Sequence, residues 1–134
     1  MKLHLSLPVN RLAETIDFYK ILFKAQPAKV KADYAKFDPE QIPLNISFQL
    51  TEQLIDTQRH LGIEFASQNA LDAYYDYIKQ NHIEVYHRQS AVCCYANQDK
   101  FKVKDPNGYE WELYYLLADT QQKIEPNSLC CQRK

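Results

Sequence analysis

The chain has 134 residues, 46% of them hydrophobic, and a formal net charge of −1. That is enough apolar material for one domain with a real core, and the charge excludes the basic surface that nucleic acid or an anionic membrane would demand. No apolar run approaches the length of a bilayer span, and the opening MKLHLSLPVN lacks the apolar centre of a secretion signal. The four cysteines form two adjacent pairs, Cys93-Cys94 and Cys130-Cys131, rather than a framework spread along a secreted chain. A reducing cytoplasm is therefore expected.

In chain order, Lys2 to Leu7 reads as a strand: Leu3, Leu5 and Leu7 alternate with His4 and Ser6, and Pro8 is expected to end it. Asn10 is placed to cap a helix to about Phe23, with Leu12, Ile16, Tyr19 and Phe23 on one face. Strands are then expected at 28–31, 34–37 and 44–50. In the last of these, Leu44, Ile46, Phe48 and Leu50 alternate with Asn45, Ser47 and Gln49.

The plan then repeats. A strand is expected from His60 to Phe65, followed by a helix capped by Ser67 and closed at Asn81, with Leu71, Tyr74, Tyr75 and Ile78 at helical spacing. Strands at 84–88, 101–103 and 109–116 follow, the last two joined by the turn sequence Asp105-Pro106-Asn107-Gly108. The order is thus β-α-β-β-β twice, a duplication rather than a solenoid. The fold class is α+β: one domain over 1–117, with modules of about 1–52 and 58–117 that share a core, and a polar cysteine-containing tail over 118–134.

The strands that open and close each half have an apolar face and a polar one. The polar faces carry His4, Ser6, Asn45, Ser47, Gln49, His60, Gly62, Glu64, Glu110 and Glu112. If they turn inward to a cleft, two histidines and a carboxylate can converge; polar sides turned to solvent would give the same alternation. His82 and His87 fall outside this pattern and are read as exposed. Tyr74, Tyr75 and Tyr77 are read as helix packing.

The remaining signal is SAVCCYANQDK at 90–100. Adjacent cysteines rarely close a disulfide on each other, but as thiols they suit thiophilic metals and metalloids. Neighbouring side chains of a regular strand point to opposite faces, so a chelating pair requires a loop or a bulge. No chemical step is assigned to Gln98, Asp99 or Lys100, and Lys100 is read as the end of the loop.

The duplicated β-α-β-β-β order, a His on the first strand of each half, and DPNGYEWEL closing the second resemble the vicinal oxygen chelate superfamily of glyoxalases, bleomycin-resistance proteins and extradiol dioxygenases. The resemblance implies two βαβββ modules forming a curled mixed sheet around a metal cup. Residue by residue it implies His4, His60 and Glu112 as ligands, with Glu110 the rival for the last place. A fourth ligand position falls near Ser47 or Gln49 and is not acidic. Two imidazoles and one carboxylate are a facial triad, which leaves open positions on iron. MKLHLSL, ADYAKF, PLN, RHLGIEF and above all CCYA-x-QDK are similar to the C–As lyase and cadmium-induced protein branch.

That branch implies Fe(II) as cofactor, O2 as co-substrate and a small trivalent organoarsenical as substrate, held by Cys93 and Cys94 and cleaved at its carbon–arsenic bond to release arsenite. A thiol protein sequestering cadmium or arsenite, and a glyoxalase-like metalloenzyme, are the competing readings. The sequence is compatible with a monomer or a homodimer.

Overall fold

The computed structural model describes residues 1–53, 56–89, 92–93 and 96–119. The elements run β1 (Leu3–Val9), α1 (Leu12–Leu22), β2 (Lys29–Lys31), β3 (Tyr34–Phe37), β4 (Leu44–Leu50), β5 (His60–Glu64), α2 (Gln68–Gln80), β6 (Tyr86–Gln89), β7 (Val92–Cys93), β8 (Ala96–Lys104) and β9 (Glu110–Asp119). The expected duplication is present. Among the described residues no helix is long and apolar enough to cross a membrane.

Two compact units emerge. The first comprises Met1–Arg59 together with Asp105–Tyr109; the second comprises His60–Lys104 and the segment beginning at Glu110. Each holds a mixed sheet, in the order β1-β4-β3-β2 in the first and β5-β9-β8-β6 in the second, where β7 also pairs with β8. In both, the opening strand lies parallel to the closing one, β1 on β4 and β5 on β9.

In the first unit the apolar face of the sheet supplies Ala35, Phe37, Leu44, Ile46 and Phe48, all buried, and α1 lays Phe18, Tyr19 and Leu22 against it. The Tyr19 ring stacks on Phe48 with centroids 4.4 Å apart, and Phe37 meets Phe48 edge to face. Such pairs add about 0.5–1.5 kcal/mol each beyond their area. In the second unit Leu71 and Ile78 of α2 and Phe101, Val103, Trp111 and Leu113 of the sheet are buried.

Several boundaries differ from expectation, each for a local reason. Pro8 does not end β1, which runs on to Val9; β1 is an outer strand of its sheet, where a residue without N–H is tolerated. Asn10 does not cap α1. Its N–H is taken by Asn107 Oδ1, the N-cap is Arg11 without a side-chain cap, and Thr15 Oγ1 donates back to Arg11 O. Ser67 does cap α2, accepting from Ala70 N–H, and Asn81 closes it. Strand β8 begins at Ala96, well before the expected 101, and β9 runs to Asp119, past the expected 116.

The expected turn forms, with Gly108 N–H donating to Asp105 O and Gly108 at φ +99. A Cβ at Gly108 would lie 2.8 Å from Thr57 Oγ1, so only glycine suits both the backbone and the space. Asp105 is the hub. It is buried, Oδ1 accepts from the Asn107 and Tyr109 amides, and Oδ2 accepts from the Tyr19 hydroxyl at 2.7 Å. The Tyr109 hydroxyl in turn donates to Pro8 O. Tyr19→Phe should therefore leave a buried carboxylate oxygen poorly paired and cost about 1–3 kcal/mol, measured as a lower urea midpoint with an unchanged slope.

Candidate metal and thiol site

The polar face of the first sheet is set by register. His4 stands opposite Asn45, Ser6 opposite Ser47, and Lys36 opposite Ser47 from the other side. His4 is exposed, and its Nδ1 is bonded to Asn45 Oδ1. In the tautomer that satisfies this bond, Nδ1 carries the hydrogen and Nε2 keeps its lone pair, the state in which imidazole serves as a ligand.

The polar face of the second sheet is more heavily charged. Parallel pairing places His60 opposite Glu110 and Gly62 opposite Glu112, while β8 faces the same residues with Lys104 and Lys102. His60 Nε2 lies 2.7 Å from Glu112 Oε2, and His60 Nδ1 lies 3.6 Å from Glu110 Oε1. Lys100 Nζ sits 3.2 Å from the other Glu112 oxygen, Oε1, and Lys102 Nζ lies 3.0 Å from Glu110 Oε1. Glu112 is nearly buried, with its side chain 11% exposed against 60% for His60. Gly62 leaves room beside it: a Cβ there would come within 3.1 Å of the Glu112 carbonyl oxygen.

Burial alone would raise the Glu110 carboxyl. Tyr86, Lys102 and His60 together outweigh that and hold it below its ordinary value. The Tyr86 phenol is pushed well above its usual range, first by burial and then by the Glu110 carboxylate. Its buried hydroxyl nevertheless has no hydrogen-bond partner of ordinary geometry among the described residues.

The structure thus brings His60 and Glu112 together and orients His4 on its own sheet. Among the described residues no three His, Cys, Asp or Glu side chains gather as a metal cage. In the second unit the imidazole of His60 and the carboxylate of Glu112 are donors of the kind that suits a first-row metal. They also fit in spacing where the structure shows it. Adjacent ligands at about 2.1 Å from one ion sit roughly 3 Å apart, close to the His60–Glu112 separation. Glu110, the rival ligand, is paired to Lys102 as Glu112 is to Lys100, and stands farther from His60, at 3.6 Å against 2.7 Å.

Cys93 is the last residue of β7, which pairs with β8 through Val92 with Asn97 and Cys93 with Ala96. Cys94 lies outside the described residues, as do Cys130 and Cys131. His82 is exposed, just past the end of α2, and His87 is half-buried in β6. A polar recess of about 300 Å³ near the end of α1, lined by Phe23, Lys24, Asp38 and Glu40 among others, contains none of these residues.

Lys100 does not end a loop, as the sequence reading had it. It stands inside β8 on Glu112. The signal was present: Lys100, Lys102 and Lys104 alternate with Phe101 and Val103 in the same period that places Glu110 and Glu112 on one face of the next strand. Asn45 and Gly62 had no such signal, because their roles exist only across a strand pair.

Comparison with known proteins agrees with this architecture. The glyoxalase/bleomycin resistance protein/dioxygenase superfamily profile matches residues 3–113. A Bacillus sp. (strain MD1) protein named trivalent organoarsenical cleaving enzyme is 38% identical over 130 residues, covering 96% of this chain and 81% of that protein. The cadmium-induced protein CadI of Mycobacterium bovis is 35% identical over 120 residues, covering 90% and 79% respectively. Among solved structures, a glyoxalase/bleomycin resistance protein/dioxygenase from Alicyclobacillus acidocaldarius superposes with a TM-score of 0.71 at 24% identity, over 88% of this chain and 92% of that one. The chain belongs to the glyoxalase/bleomycin resistance protein/dioxygenase superfamily.

Two outcomes follow from the charge ladder. Lys100→Met should cost about 1–3 kcal/mol in metal-free protein, because a nearly buried carboxylate loses its ammonium. Adding Glu112→Gln should recover part of that loss, and a double-mutant cycle on urea midpoints reads the coupling. Glu110 titrates lower in the folded chain than its ordinary 4.5. The unfolded chain therefore binds more protons between those values, so stability present above about pH 4.5 is lost as pH falls through the folded value. Glu110→Gln should flatten that acid limb in urea midpoints taken between about pH 6 and pH 3.

Proposed function

We propose that this protein is an Fe(II)- and O2-dependent enzyme that cleaves the carbon–arsenic bond of trivalent organoarsenicals and releases arsenite. The observation that carries the reading is the convergence of His60 Nε2 and Glu112 Oε2, backed by Lys100, on the sheet that also carries Cys93. The relatives named for organoarsenical cleavage supply the substrate class.

His4, His60 and Glu112 would hold the metal. Iron bound there supplies open coordination positions and the capacity to activate O2. The rest is done by the chain. The Asn45 amide fixes the His4 ring and its tautomer. Lys100 occupies one oxygen of Glu112, which leaves the other facing His60.

The Cys93 and Cys94 thiols, attacking as thiolates, exchange two As–O bonds of the substrate for two As–S bonds. Their two protons go to the departing hydroxyls, so two waters leave with no change of oxidation state. Cleavage then consumes one O2. For methylarsonous acid the change balances as one molecule of acid and one of O2 giving one of formaldehyde and one of arsenite. Holding arsenical and oxidant on one scaffold is the principal physical contribution to rate.

The test is anaerobic Fe(II) reconstitution followed by methylarsonous acid with and without air, reading arsenite by speciation. Arsenite should appear only with both iron and O2. His60→Ala should abolish it, while Cys94→Ser should weaken arsenical binding and leave Fe(II) binding in place. Tight arsenical binding with no arsenite under air would overturn the enzymatic reading in favour of thiol sequestration.

A further inference from the structure

Strand β6 contains an irregularity placed just before the cysteine segment. Tyr86 pairs with Lys102 and Gln89 with Lys100, so His87 and Arg88 together stand opposite Phe101 alone. This is a bulge, and His87 takes the left-handed backbone that it requires, with φ 56. For a residue other than glycine that conformation costs roughly 1 kcal/mol or more, so it persists only where surrounding contacts enforce it.

The consequence is a change of face. Unbroken alternation from Tyr86 would put Arg88 on the charged side with Lys102. With one residue extra, Arg88 turns to the helix-packed side. There its guanidinium lies over the Tyr75 ring at 4.6 Å and the Phe101 ring at 6.0 Å. It also reaches Asp99 Oδ2 at 3.3 Å and Asp72 Oδ1 at 3.4 Å.

Asp99 is an unusual occupant of that side. It is 6% exposed, shares its face of β8 with Phe101, and accepts at Oδ2 from Gln68 of α2 as well as from Arg88. Its buried Oδ1 has no partner among the described residues. Gln68 also bonds Asp72, so α2, β6 and β8 are tied at one point. The pair is half-buried, with the Asp99 side chain 9% exposed and that of Arg88 37%. Removing the guanidinium leaves a buried carboxylate short of a donor, which is the costly side of such a pair.

Arg88 precedes the cysteine pair and Asp99 follows it. The described residues between them are the end of β6, strand β7 and the start of β8, and β7 too is paired to β8. We propose that Arg88 and Asp99 are positioning residues for the substrate thiols: joining β6 to β8 at the base of the segment bearing Cys93, they set where that segment stands on the sheet. This rests on the arsenical-binding reading above. The tie joins the two strands that flank the cysteine pair in sequence, and chelation by two thiolates gains from pre-organisation of the strands that carry them.

The experiment uses the full chain with Cys130→Ser and Cys131→Ser, metal-free and under a phosphine reductant, titrated with phenylarsine oxide. Arg88→Gln should weaken binding by about tenfold, equal to about 1.4 kcal/mol. Arg88→Lys, which restores the charge without the planar fork, should recover part of the loss. The Co(II) absorption spectrum at His60 and Glu112 should be unchanged in both, which a general loosening of the sheet would not allow. Should Arg88→Gln fail to fold, Asp99→Asn keeps the size and one acceptor and carries the same comparison.

Unchanged affinity in a folded Arg88→Gln or Asp99→Asn, against parent protein that binds, would overturn the positioning role alone. Failure of the parent protein itself to bind phenylarsine oxide would overturn the arsenical reading and this inference with it.

Discussion

The parallel pairing of the first and last strands in each repeat is the constraint from which the candidate site follows. Parallel register brings whole residue sets to one face, and a shift by one would exchange every inward and outward side chain. Because β5 lies on β9 with Gly62 opposite Glu112, the imidazole of His60 reaches along its own strand to a carboxylate one step further on, across a position that has no side chain. The same rule puts His4 against Asn45 in the other unit. The repeats share a scaffold and differ in what the scaffold hands to its histidine.

That difference carries the electrostatics. In the first unit the partner of His4 is a neutral amide, which orients the ring without adding charge. In the second, two carboxylates and two ammonium groups alternate over the β8–β9 pair, Lys100 on Glu112 and Lys102 on Glu110. Exposed pairs of this kind contribute little. Lys100 and Glu112 are not exposed, with side chains at 15% and 11%, so each depends on the other for its place in the sheet. A carboxylate held this way has one oxygen committed and one directed at His60.

Much of the scaffold was legible in sequence because it rests on local periodicity. The alternation of Leu3, Leu5 and Leu7 and of Leu61 and Ile63, the Ser67 cap and the Asp-Pro-Asn-Gly turn each have a physical signature a few residues long. What was not legible depends on partners distant in sequence. Asn10 has a cap residue's chemistry, yet α1 takes Arg11 as its N-cap, and the backbone N–H of Asn10 donates to Asn107, far along the chain. Pro8 interrupts a strand only if that strand is internal, and strand order is not written locally. His60 and Glu112 were named from a resemblance, whereas Lys100, which bears on the same carboxylate, was passed over because its polar neighbours Asn97, Gln98 and Asp99 read as loop.

The cysteine stretch shows how local and distant rules meet. Two adjacent side chains can serve one atom only where regular alternation stops. Cys93 lies on β7, paired with Ala96 of β8, and Cys94 lies outside the described residues. Strand β7 as described has two residues, both paired to β8, and few ladder bonds constrain a strand so short. The chain meets that difficulty one strand earlier, at His87, where a left-handed residue turns Arg88 onto a buried aspartate. The pairing of β6 with β8 is thereby fixed from within the sheet, on both sides of the cysteine pair in sequence.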